Sequence, residues 1–589
     1  MRLPSPAARM ITCRGSVMRG GSVDGVAGNS NRSEDRARAV AETACDNPRL
    51  RAARSRKTDL SAPRPHTTPA LSWKFTLALA TLLTLLTALV NGQDRNWDLR
   101  NYHLYTGSAL LQGRLDQDIA AAQLQTWHNP ATDLPFVWMV HAGWPGWLIA
   151  CWLCLPSLLA LFFALRILDR CWPQASSRWR LALTAVLALT GAAVGPSVGS
   201  TFNDAIIAAG ATGALWWVLR TRADASLWKT WLPAGLILGL ATGLKLTGII
   251  YCVALAAVAL LAGPWRRAPL RALALALGGV LGGVLTAGPW AWVLWQTFGN
   301  PLFPYFNQVF QSPYAQAVAY NDARFIPHGL DAWLTVFHFT KRGFLFSEAR
   351  LADPRILLGL LSLGLSVFLQ RRRQQPWRDV GLLLLFSVVT LAMWTRLYGI
   401  YRYLIAVELL CAVALAGAAS AYLPKRWPRF VLIVGLALVI GLTKRPGWGR
   451  SHPFTTPMVQ VRFPSIEPDA MVIISSTSPL GHAVAFLPPS VPAISIANNF
   501  MRPQTCTALQ ADAEARIAQH RGPFYLLRET RTDLEDPVAT EYTHYGLAQQ
   551  GPCQPVSDSL RPVELCPLQR VQEVSALCPQ ARAAPAADR

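Results

Sequence analysis

The chain has 589 residues, of which 52% are hydrophobic and only 15% charged, with 22 Trp; this pattern lies far from a soluble globular average and marks a polytopic membrane protein. A formal net charge of +22 does not indicate nucleic acid as a partner, because Lys and Arg recur as short clusters between apolar runs instead of forming one basic patch with aromatics. The polar C-terminal cysteines Cys506, Cys553, Cys566 and Cys578 match no zinc spacing and read as disulfide partners in an oxidising compartment.

In chain order, residues 1–70 are polar, Arg-rich and without apolar periodicity, which fits a disordered cytoplasmic segment, or equally a start codon assigned too far upstream, and not a cleaved secretory signal. The run "LSWKFTLALATLLTLLTALV" (72–91) carries a single Lys near its start. At 1.5 Å per residue its roughly 20 residues cross a ~30 Å hydrocarbon core. Ten further apolar segments follow, near 148–168, 180–197, 203–219, 230–245, 247–263, 270–294, 356–370, 379–396, 400–419 and 429–444, for about eleven transmembrane helices. Within them "GGVLGGVLTAG" (278–288) reads as close helix packing by small residues.

With the N-terminus in the cytoplasm, every short basic loop falls on one side: Arg170, Arg178 and Arg180; Arg220, Arg222 and Lys229; Arg266, Arg267 and Arg271; Arg371, Arg372, Arg373 and Arg378; Lys425, Arg426 and Arg429. The same alternation places loops 92–147 and 295–355 and the segment 446–589 outside. That last segment reads as a small α/β unit, with strands at "AMVIISS", "PAISIAN" and "PFYLLRE" and a helix at "CTALQADAEARIAQH". The expected architecture is a helical membrane core over 71–445 followed by a periplasmic α/β domain over 446–589, in a bacterial inner membrane.

Chemistry gathers at the outer ends of the predicted helices. "NWDLRNYHLY" (96–105) sets Asp98 beside Arg100 and His103 just after the first span; Trp97 and Tyr102 fit interface anchoring, but the charged trio does not. The same loop supplies Asp116 and Asp118, a D-x-D pair able to share a divalent ion or sit in a solvated turn, then His128 and Asp133 in "QTWHNPATDLP". "GPSVGSTFNDAIIA" puts Asp204 at a helix start, as a cap or a site carboxylate, and "GLATGLKLTG" puts Lys245 near an outer end, for snorkelling or for phosphate. "FTKRGFLFSEARLADPRI" offers Glu348 and Asp353, and "RLYGIYRYLIAVELL" an Arg402 flanked by tyrosines, suited to a lipid phosphate or to interface anchoring.

An Asp closing the first span, a long first outer loop, acidic residues at outer helix ends and a C-terminal outer domain together resemble the GT-C superfamily of membrane glycosyltransferases, over roughly 71–445. The resemblance implies a sugar donor linked to a polyprenyl phosphate, with Asp98 as the catalytic carboxylate and Lys245, on a stretch similar to the Lys-bearing span end of that superfamily, at the donor phosphate. Arg402 and His103 join it as candidate phosphate ligands. Mannosyl and aminoarabinose transferases of the superfamily often carry an Asp-Glu pair where Asp98 is followed here by Leu99. The second acid or metal ligand is therefore sought among Asp116, Asp118, Asp204, Glu348 and Asp353, with a divalent cation as a possible cofactor. No W-W-D-like sequon reader stands in the C-terminal segment, which argues against protein N-glycosylation.

The chemistry of such a transfer asks for the same groups, since a base must deprotonate the acceptor hydroxyl and cations must stabilise the leaving phosphate; Asp98 fits the first need, and Lys245, Arg402 and His103 fit the second. The expected activity is transfer of a hexosyl or pentosyl group to a glycan, lipid or protein acceptor, with membrane lipid as the other partner. A polysaccharide polymerase or ligase would use similar loops. A lipid or glycolipid transporter would place its charges near the bilayer midplane and show internal repeats, and neither feature is present.

Overall fold

The computed structural model describes residues 72–173, 177–221, 226–320, 322–423, 428–530 and 536–572. The expected disorder of 1–70 and the readings that rest on Arg222, Lys425, Arg426, Cys578 and the Arg429 side chain lie outside the described residues. Helices occupy each of the eleven predicted segments, from Trp73–Asn91 to Pro428–Leu442. Five helical stretches among the described residues are long and apolar enough to cross a membrane: Trp73–Asn91, Gly146–Cys171, Trp265–Phe298, Arg378–Leu397 and Tyr401–Tyr422. Their outward faces remain greasy, with Val90 76%, Val280 67% and Val284 60% exposed, as lipid contact requires.

The glycine repeat does what its composition suggests. Helices Leu227–Leu244 and Ala268–Phe298 approach so closely that a Cβ on Gly235 or Gly239 would collide with the backbone of the opposite helix at Leu275 and Gly279, the packing mode that replaces hydrophobic association in lipid.

One helix departs from expectation. The segment predicted over 180–197 is broken: its helix ends at Leu189, Gly191 follows the break, and a one-turn helix Val194–Ser197 resumes beyond it. The freed backbone is not left bare: Ala192 N–H donates to Asp353 at 2.8 Å, and Ala193 and Val194 donate to Glu408 at 3.0 and 3.1 Å. Gly191 must be glycine, since a Cβ there would overlap the Glu408 carboxylate.

The C-terminal segment forms a mixed sheet from β1 (Val461–Arg462), β2 (Met471–Ser475), β3 (Ala493–Ala497), β4 (Phe524–Glu529), β5 (Leu547–Gln549), β6 (Gln554–Asp558) and β7 (Val563–Arg570), in the order β1-β6-β7-β4-β2-β3 with β5 also on β7. Strands β3 and β4 flank β2 in parallel, and β7 pairs β4 antiparallel. The three predicted strands and the helix Ala508–Gln519 are present; β1, β5, β6 and β7 are additional. The sheet is continuous with the loop after the first helix, for Ile119 bridges Ile494 in parallel and its amide donates to Ala493 at 3.0 Å. Apolar residues of both, such as Leu99, Tyr105 and Phe136 with Val472, Leu480 and Leu527, share one core.

Cys553 and Cys566 are joined across β6 and β7, and Cys506 is also disulfide-bonded. A non-reduced digest is expected to yield a linked Cys553–Cys566 peptide by mass spectrometry; two free thiols there would contradict the pairing.

Candidate active site

The segment after the first helix is shaped before it reaches Asp98. The Asp94 carboxylate accepts from Asn96 N–H at 3.1 Å and from the Thr201 amide and hydroxyl at 2.8 and 2.9 Å, and the Asn96 side chain accepts from Leu99 N–H at 2.6 Å. Leu99–His103 then forms a single π-turn, with bonding from i to i+5. That register stands Tyr102 and His103, four and five residues on, over the side of Asp98. Tyr102 accordingly donates its hydroxyl to Asp98 at 3.3 Å.

Three further helix ends bring charges to this carboxylate. Arg402, in the short 3₁₀ segment Tyr401–Leu404, places Nη1 2.8 Å from Asp98 Oδ2 and 3.8 Å from Asp204 Oδ2. Asp204 opens the helix Asp204–Thr221, where its charge suits the helix dipole, and its Oδ1 lies 2.6 Å from Lys245 Nζ at the end of Leu227–Leu244. The result is an alternating chain Asp98, Arg402, Asp204, Lys245. Aromatic faces back its cations: Arg402 lies 4.5 Å from the Phe202 ring centroid, and Lys245 5.4 Å from that of Tyr403. Burial would push the Asp98 pKa up, but the charges of Arg402, of His103 when its ring is protonated, and of Lys245 outweigh it and hold the group down to about 2.

A second pair lies beside the first. His103 Nδ1 is 3.0 Å from both oxygens of Asp133, while its Nε2 is buried with no hydrogen-bond partner among the described residues. The Tyr102 ring packs against His103 at 4.1 Å and edge-on against His128 at 4.9 Å. His128 Nε2 meets the Tyr305 hydroxyl at 2.9 Å. Burial, and then the charges of Lys245 and His103, pull the His128 pKa down to about 3, so that ring is neutral.

The site-residue expectations divide accordingly. Asp98, Arg402, Asp204 and Lys245 meet, and His103 adjoins them through its own carboxylate partner. The D-x-D pair does not converge on an ion: Asp116 is exposed, and Asp118 is fully engaged by Arg114, the Tyr105 hydroxyl and Ala493 N–H. Asp353 is likewise corrected to a structural role, ion-paired at 2.6 Å with Arg355 and accepting from Ala192 and Arg355 amides. Glu348 is exposed, near enough to Arg402 for their charges to interact but without a bond to it.

The residues present do not fit a divalent cation at this point, because Arg402 and Lys245 already neutralise Asp98 and Asp204 and would repel it. Among the described residues the one grouping of metal-type ligands elsewhere, Cys553, Glu564 and Cys566, includes the disulfide. The partnership of His103 with Asp133, and the burial of Glu408, escaped sequence reasoning. A His and an Asp thirty positions apart carry no local signal of contact.

No family model matches the chain, and no curated protein matches it. Among solved structures, the chain is similar in fold to apo ArnT from Cupriavidus metallidurans, at 12% identity and a TM-score of 0.47, covering 83% of this chain and 97% of that one. It is also similar to the arabinofuranosyltransferase AftD from Mycobacteria, at 15% identity and a TM-score of 0.48, covering 85% of this chain and 42% of that one. The oligosaccharyltransferase of Archaeoglobus fulgidus is similar at 13% identity and a TM-score of 0.41, covering 78% of this chain and 69% of that one.

Proposed function

We propose that the chain is a membrane glycosyltransferase of the GT-C kind, which transfers a hexosyl or pentosyl group from a polyprenyl-phosphate-linked donor to an acceptor hydroxyl at the extracytoplasmic face of a bacterial inner membrane. In this reading eleven spans over 71–445 carry the site, and 446–589 form a domain outside the cytoplasm. The observation that carries it is the ion chain Asp98, Arg402, Asp204, Lys245, gathered from four helix ends. Helix ends lie at the depth where a lipid holds its phosphate, and two cations backed by aromatics suit a phosphate monoanion.

The donor phosphate competes with Asp98 for Arg402. Its arrival draws the guanidinium onto the leaving group and releases Asp98 toward the reacting carbon, where a carboxylate both orients the acceptor hydroxyl and opposes the positive charge that develops on the sugar. Asp204 stays behind and keeps both cations in register. Transport, the main reading outside enzymology, places its charges at the midplane on broken helices and does not call for this chain of groups at the helix ends.

Lys245→Ala tests the donor half. It should raise the donor concentration needed for half-maximal transfer by roughly 10- to 100-fold, the worth of a hydrogen bond to a charged group, and more donor should partly relieve it. The assay is turnover of undecaprenyl-phosphate-linked hexoses and pentoses in proteoliposomes. An unchanged donor dependence would remove Lys245 from the phosphate site.

A further inference from the structure

Resting on the transferase reading, we infer that His103, held by Asp133, accepts the proton of the acceptor hydroxyl. The geometry is that of an oriented base. Nδ1 faces both Asp133 oxygens at 3.0 Å; a ring N–H spent there leaves the lone pair on Nε2. Nε2 is buried and has no partner among the described residues, and a buried polar atom without a partner calls for an explanation such as a bound molecule that completes it. Asp133 is itself fixed: it stands at the start of the helix Leu134–His141, where the helix dipole favours its charge, with the Thr132 hydroxyl at 3.4 Å and the Asn203 amide at 3.5 Å.

The groups that face His103 from every side suit an imidazolium formed in the reaction. Asp98 and Tyr102 come from its own turn, Asp133 from the loop beyond, and His128, neutral at its hydrogen bond to Tyr305, from between them. The positive charges within reach, Arg402 and Lys245, are already countered by Asp98 and Asp204. Asp98 is a poor proton acceptor. Clamped by Arg402 it is held near 2, and even a released carboxylate titrates near 4, whereas an efficient base is matched to neutral pH. A carboxylate behind an imidazole is the arrangement that hydrolases use to hold tautomer and charge.

In the balanced step the acceptor O–H bond breaks and its proton goes to Nε2. The oxygen forms its bond to the anomeric carbon, and the bond from that carbon to the phosphate oxygen breaks with its electron pair on the phosphate, between Lys245 and Arg402. Asp98 remains ionised throughout and opposes the positive charge that develops on the sugar.

The test compares His103→Gln, which cannot take up a proton at neutral pH, and Asp133→Asn with the wild-type chain in proteoliposomes. The probes are undecaprenyl phosphate, for binding by thermal shift, and radiolabelled undecaprenyl-phosphate hexoses and pentoses with bacterial membrane glycolipid as acceptor. His103→Gln should lose about 10²- to 10⁴-fold of the maximal rate while undecaprenyl phosphate stabilises it as it does the wild type. The fall in rate on the acid side should vanish from its residual activity, and Asp133→Asn should displace that fall. A His103→Gln chain that keeps more than a tenth of the maximal rate, or retains the wild-type acid limb, overturns the assignment and leaves the transferase reading standing. A wild-type chain that neither turns over these donors nor responds to undecaprenyl phosphate overturns both. Should His103→Gln fail to accumulate, the profile of Asp133→Asn decides: an unshifted acid limb rejects the dyad.

Discussion

Asp98→Asn should lower sugar transfer by about 10²- to 10⁴-fold at matched protein levels, the scale on which positioned charge and proton-handling groups act. Asn keeps the size of the side chain and can still meet the Tyr102 hydroxyl, so the loss isolates the carboxylate charge. The same substitution should also destabilise the fold. Asp98 is only 7% exposed and is the nearer of the two partners of Arg402, at 2.8 Å against 3.8 Å for Asp204. Removing one member of a buried ion pair costs about 3–5 kcal/mol when the other charge is left uncompensated; the remaining Asp204 contact puts this case toward the lower end. With its folded pKa depressed from 3.8 to about 2, Asp98 contributes stability that is fully present above pH ~4 and is lost as pH falls through ~2. The variant should therefore lose wild-type acid sensitivity in that window. Transfer assays beside thermal unfolding in detergent separate the two effects, and near-normal transfer by Asp98→Asn would remove this residue from the mechanism.

Much of that site is legible in the sequence because a membrane simplifies the problem. Apolar runs declare the helices, and charged residues at their ends stand out against a background that excludes charge. Asp98, Asp204, Lys245 and Arg402 are each conspicuous for that reason. Their mutual contact is not, since Asp98 and Arg402 are separated by 304 positions and no local pattern encodes such a meeting. Short loops mislead in the opposite direction: Asp118 and Asp353 look like free carboxylates until the fold buries each with an arginine two or four residues away. The sheet is half legible. Strands β2 and β3 are nearly continuous apolar runs, as buried parallel strands are, and β4 opens with one, Phe524 to Leu527, whereas β6 and β7 contain Pro555 and Pro567 and mix polar residues with apolar ones, a composition that argues against a strand when read alone.

The carboxylate that the D-x-D motif misassigns bears the heavier structural load, and Asp118→Ala should destabilise the protein by about 3–5 kcal/mol. Arg114 and Asp118 have fully buried side chains and share two bonds of 2.9 Å in fork geometry. Arg114 also donates to the Pro488 and Val491 carbonyls at 3.2 and 2.9 Å, and Asp118 accepts from Ala493 N–H at 2.8 Å and the Tyr105 hydroxyl at 3.1 Å. These bonds fasten the loop that begins with Asp98 to strand β3, so removing Asp118 strands a buried guanidinium at the junction of loop and sheet. The double variant Arg114→Leu/Asp118→Leu should cost less than the two single changes together, because no lone charge remains, yet it should not recover wild-type stability while the Val491 carbonyl, the Ala493 amide and the Tyr105 hydroxyl lose the partners they have here. Thermal unfolding and limited proteolysis of 450–572 read both outcomes. If Asp118→Ala unfolds at the wild-type temperature and is cleaved no faster, the loop and the sheet are not held together through this pair, and Asp98 keeps its position through Asp94, Asn96, Tyr102 and Arg402.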